Sequence, residues 1–211
     1  MDSLEITEMK TELCESSRFI AKSKITFCRN GKEREHDVID AHDGVFVLIF
    51  NTTRQAFVLV KQFRPSLFMM FNPTLKNNIE NVTESDVPFS KGVSHECCAG
   101  IVEVPNTPLV EIVRSEILEE TGYDCPLHNI KRLFEVSDNS GVTSSLEHLY
   151  YAEVSDEMKV GEGGGLVEEG EFIDIVYLPL KEAKEFMFRD DVLKTGAEMS
   201  AFCWFFWKNG M

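Results

Sequence analysis

The sequence predicts an α/β (α+β) fold, a mixed sheet covered by helices on both faces, in one elaborated domain. Three observations lead there. Two short runs, VFVLIF (45–50) and AFVLV (56–60), are apolar throughout and do not alternate, so their sheet is covered on two sides. Residues 109–121 carry a helical period, with Val110, Val113 and Ile117 on one side. Hairpins outnumber β-helix-β units, which argues for a mixed sheet over a doubly wound parallel one.

The elements follow in order. FIAKSKITF (19–27) and EREHDVI (33–39) read as strands joined at CRNGK, where Asn30 and Gly31 supply the positive backbone angles of a tight turn. The two apolar runs make a second hairpin around NTTRQ. Residues 66–94 lack sustained periodicity and read as an irregular insertion, after which HECCAGIVEV resumes extended structure. Gly122 caps the helix that ends at Thr121. IKRLFEV, EHLYYAEV and FIDIVYL are further strands; two helical stretches close the chain, the last carrying AFCWFFW. The domain is expected to span 18–211, with 1–17 a flexible N-terminus.

Composition excludes several functions. Thirty-six acidic against 21 basic residues leave a net charge of −15, which repels nucleic acid and anionic lipid. No segment reaches the ~18 apolar residues of a membrane span, and the start has neither a basic end nor an apolar run, so a cytoplasmic location is expected. The six cysteines are scattered and lack the paired spacing of a zinc site. No Gly-x-Ser-x-Gly elbow marks a serine nucleophile, and the five histidines show no metal spacing.

What demands explanation is SEILEETGYD (115–124). Glu116, Glu119 and Glu120 leave one face of a helix at its last turn. Glu116 and Glu120 repel by about 0.2–0.5 kcal/mol, and the helix dipole adds about 0.3–1 kcal/mol of penalty per charge. No Lys or Arg follows until Lys131. A sequence that breaks a local rule without compensation often does so at a functional site, and the missing compensation is a cation. Hard oxygen donors at this density suit Mg²⁺ or Mn²⁺ shared with a phosphate-bearing substrate, and diphosphate hydrolysis is the chemistry such a site supports.

Gly100-Ile-Val-Glu103, a spacer, and Glu116-Ile-Leu-Glu119-Glu120-Thr-Gly122-Tyr123 resemble the box of the Nudix hydrolase family. VLVKQFRP, ECCAGIVE and GEGGGLVEEGEFIDIVYLPL are similar to its UDP-sugar diphosphatase group, close to the ADP-ribose pyrophosphatases. The likeness implies an α/β/α sandwich, a homodimer and Mg²⁺-dependent cleavage of UDP-glucose to UMP and glucose 1-phosphate. ADP-ribose hydrolysis and a non-catalytic nucleotide-binding module are the alternatives. It also implies that Glu116, Glu119, Glu120 and the Gly100 carbonyl hold the metal. Glu169 matches the family's catalytic base, with Glu171 the second choice, in a glycine-rich loop whose composition permits closure over a substrate. Gln62, Phe63, Arg64 and Glu147 are the candidate substrate contacts, Arg64 by paired hydrogen bonds to phosphate oxygens and Phe63 by stacking on uracil. Two departures stand out. Ser115 takes the place of the box arginine, beside Arg114, and the spacer is one residue longer than usual, with Thr107 at the first acidic position.

Overall fold

A computed structural model describes residues 6, 8–11, 14–17, 19–72, 81–83, 88–103, 106–137 and 139–211. The parts of the expected insertion at 73–80 and 84–87 lie outside the described residues.

Seven strands form the central sheet: β4 (Gly44–Asn51), β5 (Ala56–Phe63), β7 (Val93–Glu96), β8 (Cys98–Ile101), β9 (Ile130–Val136), β10 (Glu147–Val154) and β11 (Asp174–Pro179). The order is β11-β5-β4-β10-β9, with β7 beside β5 and β8 beside β4. β10 runs parallel to β4 and antiparallel to β9, so the sheet is mixed as expected. Helix α2 (Leu109–Thr121) covers one face: Val113 and Ile117 pack with Val45, Val47, Val58 and Val60. Helices α3 (Leu180–Met187) and α4 (Gly196–Lys208) cover the other, packing on Leu48, Phe50, Phe57 and Leu59. Alternate residues of β4 and β5 therefore face opposite cores, which is why neither run shows a polar side.

The apolar hairpin is only partly a hairpin. β4 and β5 pair at Ile49↔Val58, Phe50↔Phe57 and Asn51↔Ala56, then part. Beyond that point β7 pairs with Val60–Phe63 and β8 with Gly44–Val47, so the continuous segment from Val93 to Ile101 wedges the two strands open. The opened end is the floor of the functional cleft.

AFCWFFW is a core element. Phe202 and Phe205 meet the Phe57 ring edge-on at centroid distances of 4.9 and 4.8 Å, while Trp207 is 79% exposed. Phe57 is fully buried, so Phe57→Ala is expected to cost about 3–5 kcal/mol in denaturant unfolding. A loss below 1 kcal/mol would contradict this packing.

The first hairpin, β2 (Ile20–Arg29) and β3 (Lys32–Ala41), turns at Asn30 (φ 54°) and Gly31 (φ 74°), as the sequence predicts. It stands away from the sheet, and every residue of β2 is exposed. Two expectations need correction. The N-terminal segment is not wholly free: β1 (Glu8–Lys10) pairs with β6 (Asn81–Thr83), and Ile6 and Met9 pack against Phe68 and Phe89. The stretch 66–94 is not wholly irregular either, since it continues helix α1 (Pro65–Phe71) and contains β6 and the start of β7. Phe68 and Phe89 fill a small core that periodicity over so short a stretch does not reveal.

Candidate active site

The cleft encloses about 990 Å³ between the opened end of the sheet, α2 and the glycine-rich segment. Gln62, Arg64, Gly100, Glu116, Glu119, Glu120, Glu147, Glu169 and Glu171 all line it, so the structure brings together every candidate but one. Phe63 is the exception. Gln62 and Arg64 point into the cleft, and strand alternation sends Phe63 to the other side, where it packs on Phe68 and Phe89. Stacking of Phe63 on a nucleobase is therefore withdrawn.

The helix face behaves as its spacing requires. Glu120 is 2% exposed and accepts a 3.1 Å hydrogen bond from the Ala99 N–H. Burial pushes its pKa up to about 7, and Glu171 adds to the rise, while the Cys98 thiol, the Ala99 N–H and the Arg64 charge favour the ionised form. Burial likewise raises Glu116 to about 8, followed by repulsion from Glu120, Glu119, Glu171 and Glu169. Glu116 lies flat against Gly100, where a Cβ would fall 1.9 Å from its Oε1. Only glycine leaves that carboxylate room.

A hard divalent cation fits this donor set. Among the described residues no three acidic, histidine or cysteine side chains converge on one point. Glu120 is turned to Ala99, and Glu116 lies on Gly100. All three glutamates leave one face of one helix, which sets their carboxylates along the same wall of the cleft.

Arg64 provides the facing positive charge. It holds Glu96 through Nη2 at 2.7 Å and Nε at 3.1 Å, and Ser94 donates to the same carboxylate at 2.5 Å. Arg114 does not take the place left by Ser115; its guanidinium pairs with exposed Asp124 at 2.9 Å. Ser115 itself borders the cleft. Residues that the sequence reading missed include Glu96, Glu111, His42 and Asp43. The strand alternation of Glu96 with Ser94 was the available signal for the first.

The glycine run is a docking strap in this structure. Gly164 and Gly165 donate their N–H groups to the Glu120 and Glu119 carbonyls at 2.9 and 3.1 Å. Gly163 has φ +73°, and a Cβ there would sit 2.5 Å from the Glu120 carbonyl oxygen. Farther along, Glu171 Oε2 accepts from the Leu166 N–H at 2.9 Å, which fixes it, while Glu169 sits exposed at the cleft rim.

The raised carboxyls set a pH dependence. With folded values of about 8 and 7 against an ordinary 4.5, Glu116 and Glu120 bind more protons in the native than in the unfolded state. Their contribution to stability therefore falls as pH rises from about 4.5 through 8. In chelator-treated protein, Glu116→Gln is expected to raise the melting temperature more at pH 8.5 than at pH 5.5. An equal effect at both pH values would contradict the raised carboxyl.

A carboxylate-walled cleft at the end of a helix, met by an arginine across a split mixed sheet, suits a cation and a phosphate-bearing ligand together. No family model matches the chain. It is 34% identical over 201 residues to uridine diphosphate glucose pyrophosphatase NUDT14 of Bos taurus, covering 92% of this chain and 90% of that protein. To the Mus musculus protein of the same name it is 35% identical, covering 92% and 91%. GDP-mannose pyrophosphatase of Salmonella arizonae is 30% identical over 199 residues, again covering 92% and 91%. A crystal structure of an ADP compounds hydrolase superposes with a TM-score of 0.66 at 16% identity, covering 97% of this chain and 96% of that one. The chain belongs to the Nudix hydrolase family, in the branch of these pyrophosphatases.

Proposed function

We propose that the protein hydrolyses the diphosphate bond of nucleoside diphosphate sugars, with UDP-glucose the preferred substrate and UMP and glucose 1-phosphate the products. The observation that carries this reading is the single cleft in which Glu116, Glu119, Glu120 and Gly100 face Arg64 on one side and Glu169 and Glu171 on another. The relatives named for UDP-glucose and GDP-mannose support the substrate class.

The three helix glutamates and the Gly100 carbonyl would hold Mg²⁺, with Mn²⁺ a substitute. When bound there, such an ion would supply neutralisation of the diphosphate oxygens and a lowered pKa for a bound water. Arg64, anchored by Glu96, offers its remaining N–H groups to the diphosphate. Gln62 and Glu147 line the same cleft and are placed to contact the nucleotide or sugar. Glu169, at the rim, takes the proton from the attacking water, and Glu171, held by Leu166, keeps the segment in place.

The partner is a second copy of the chain. Strand β2 is exposed throughout, with Ile25 at 49% and Phe27 at 44%. The hairpin is tied to the chain along β3, where the Ile39 N–H donates to the Val142 carbonyl, so Ile25 and Phe27 offer a surface to the second copy. Ile25→Asp combined with Phe27→Asp is expected to give a monomer in sedimentation; an unchanged dimer would locate the interface elsewhere. We place the activity in the cytoplasm. Six free cysteines support a reducing compartment, and among the described residues no helix is long and apolar enough to cross a membrane.

The test is initial rates on UDP-glucose, GDP-mannose and ADP-ribose with Mg²⁺, read by chromatography of the nucleotide product. UMP from UDP-glucose at the highest kcat/KM is the expected result. A faster rate on GDP-mannose or ADP-ribose would reassign the substrate, and tight binding of all three without products would make the chain a binding module.

A further inference from the structure

The C-terminus of α2 is held by a single segment. The Leu118 carbonyl accepts from Gly122 N–H, as in a capped helix. Every following carbonyl is met by residues 159–165. Gly165 N–H serves Glu119, Gly164 N–H serves Glu120, and Val160 and Gly161 N–H serve Gly122. Thr121 is met by a side chain, Lys159 Nζ, at 2.7 Å. The same ammonium reaches the Glu162 carbonyl at 3.2 Å and lies 5.2 Å from the centre of the Tyr123 ring.

Lys159 thus brings a full positive charge to a helix end that carries a partial negative one and two glutamates in its last turn. The helix itself has no basic residue in that turn. From Gly165 the strap continues into the acidic segment: Glu171 N–H donates to Leu166 O, Leu166 N–H to Glu171 Oε2, and Ile173 N–H to Gly164 O. The segment from Lys159 to Ile173 is thus hydrogen-bonded first to the end of α2, at Glu119, Glu120 and Thr121, and then to itself around Leu166 and Glu171.

We infer that Lys159 is a positioning residue for hydrolysis: by pinning the 159–165 strap to the end of α2 it fixes the carboxylates of that helix relative to Glu169 and Glu171. It lines no part of the cleft and touches no reacting atom. The inference rests on the proposed diphosphate hydrolysis. Its charge and its positioning role act in opposite directions. Removing a nearby positive charge favours cation binding, whereas loosening the strap disturbs the geometry in which water, base and diphosphate meet.

The experiment compares the full-length protein with Lys159→Met and Lys159→Arg. Readouts are kcat and KM on UDP-glucose at saturating Mn²⁺, Mn²⁺ affinity by electron paramagnetic resonance of the free ion, and amide hydrogen exchange. Lys159→Met should lower kcat about tenfold with KM and Mn²⁺ Kd each within about twofold. Exchange at Gly164 and Gly165 should quicken about tenfold, and Lys159→Arg should restore at least about half of kcat. Parental kcat in Lys159→Met, or a lower kcat with unchanged exchange, overturns the inference. If Lys159→Met does not fold, the unaltered protein decides. Slow exchange at Gly164 and Gly165, comparable to the amides of Ile117 and Leu118, supports the strap, and fast exchange there overturns it. A parent chain inactive on all three nucleotide sugars defeats the proposed function separately, leaving the exchange arm to judge the strap.

Discussion

Glu120→Gln is expected to lower turnover of UDP-glucose by about a thousandfold or more, about 4 kcal/mol of transition-state stabilisation, while the protein stays folded. The buried carboxylate already accepts the Ala99 N–H, and a glutamine carbonyl can accept the same bond, so β8 and α2 keep their contact. What glutamine cannot supply is a second anionic oxygen for a hard cation or the negative charge that balances it. Glu119→Gln, half-exposed and on the same face, should behave likewise. Because Glu120 is buried and resists ionisation, the neutral amide should also raise the melting temperature of chelator-treated protein at pH 8.5. Kinetics with near-parental kcat in both variants would contradict the assignment of this helix face.

Gly100→Ala is expected to reduce kcat about a hundredfold, an outcome that depends on one methyl group. An alanine Cβ would lie 1.9 Å from Glu116 Oε1, 2.1 Å from its Cδ and 2.6 Å from its Cγ. The obstruction is a flexible side chain, so Glu116 swings aside and the strand need not move. Gly100 has no positive φ, so alanine suits its backbone, and lost chain entropy in the unfolded state favours alanine by about 0.4–1 kcal/mol. The expected signature is a stable protein with weakened metal binding, seen as a shift to higher Mg²⁺ concentration at half-maximal rate. An alanine variant with the parental Mg²⁺ response would remove Glu116 from the ligand set.

Much of the scaffold was legible because burial leaves a mark on composition. Val45–Phe50 and Ala56–Val60 are apolar at every position, and they face two cores, one under α2 and one under α3 and α4. The acidic cluster was legible for the opposite reason: Glu116, Glu119 and Glu120 oppose both helix dipole and one another, a local conflict that points to a functional site. Long-range pairing left no such mark. Nothing local in Ala56–Phe63 says that it pairs with Asn51 at one end and with Val93 at the other. The charge that steadies the helix end lies 38 residues beyond Thr121 in sequence, at Lys159, and no local pattern links the two. Glycine clustering in GEGGG is legible as freedom of the backbone, and in this structure that freedom serves close approach of one backbone to another. Phe63 has the residue type of a stacking platform, but the strand's two-residue alternation turns it away from the side of Gln62 and Arg64.

The proposed function requires the three carboxylates of α2 to grip a doubly charged ion beside a diphosphate. Anomalous diffraction from crystals grown with millimolar Mn²⁺ and a non-hydrolysable UDP-glucose analogue addresses it directly. A manganese peak within about 2.5 Å of oxygens from at least two of Glu116, Glu119 and Glu120, and in contact with the analogue's phosphates, is the result predicted. Analogue bound in the cleft with no anomalous peak against that helix face would contradict it.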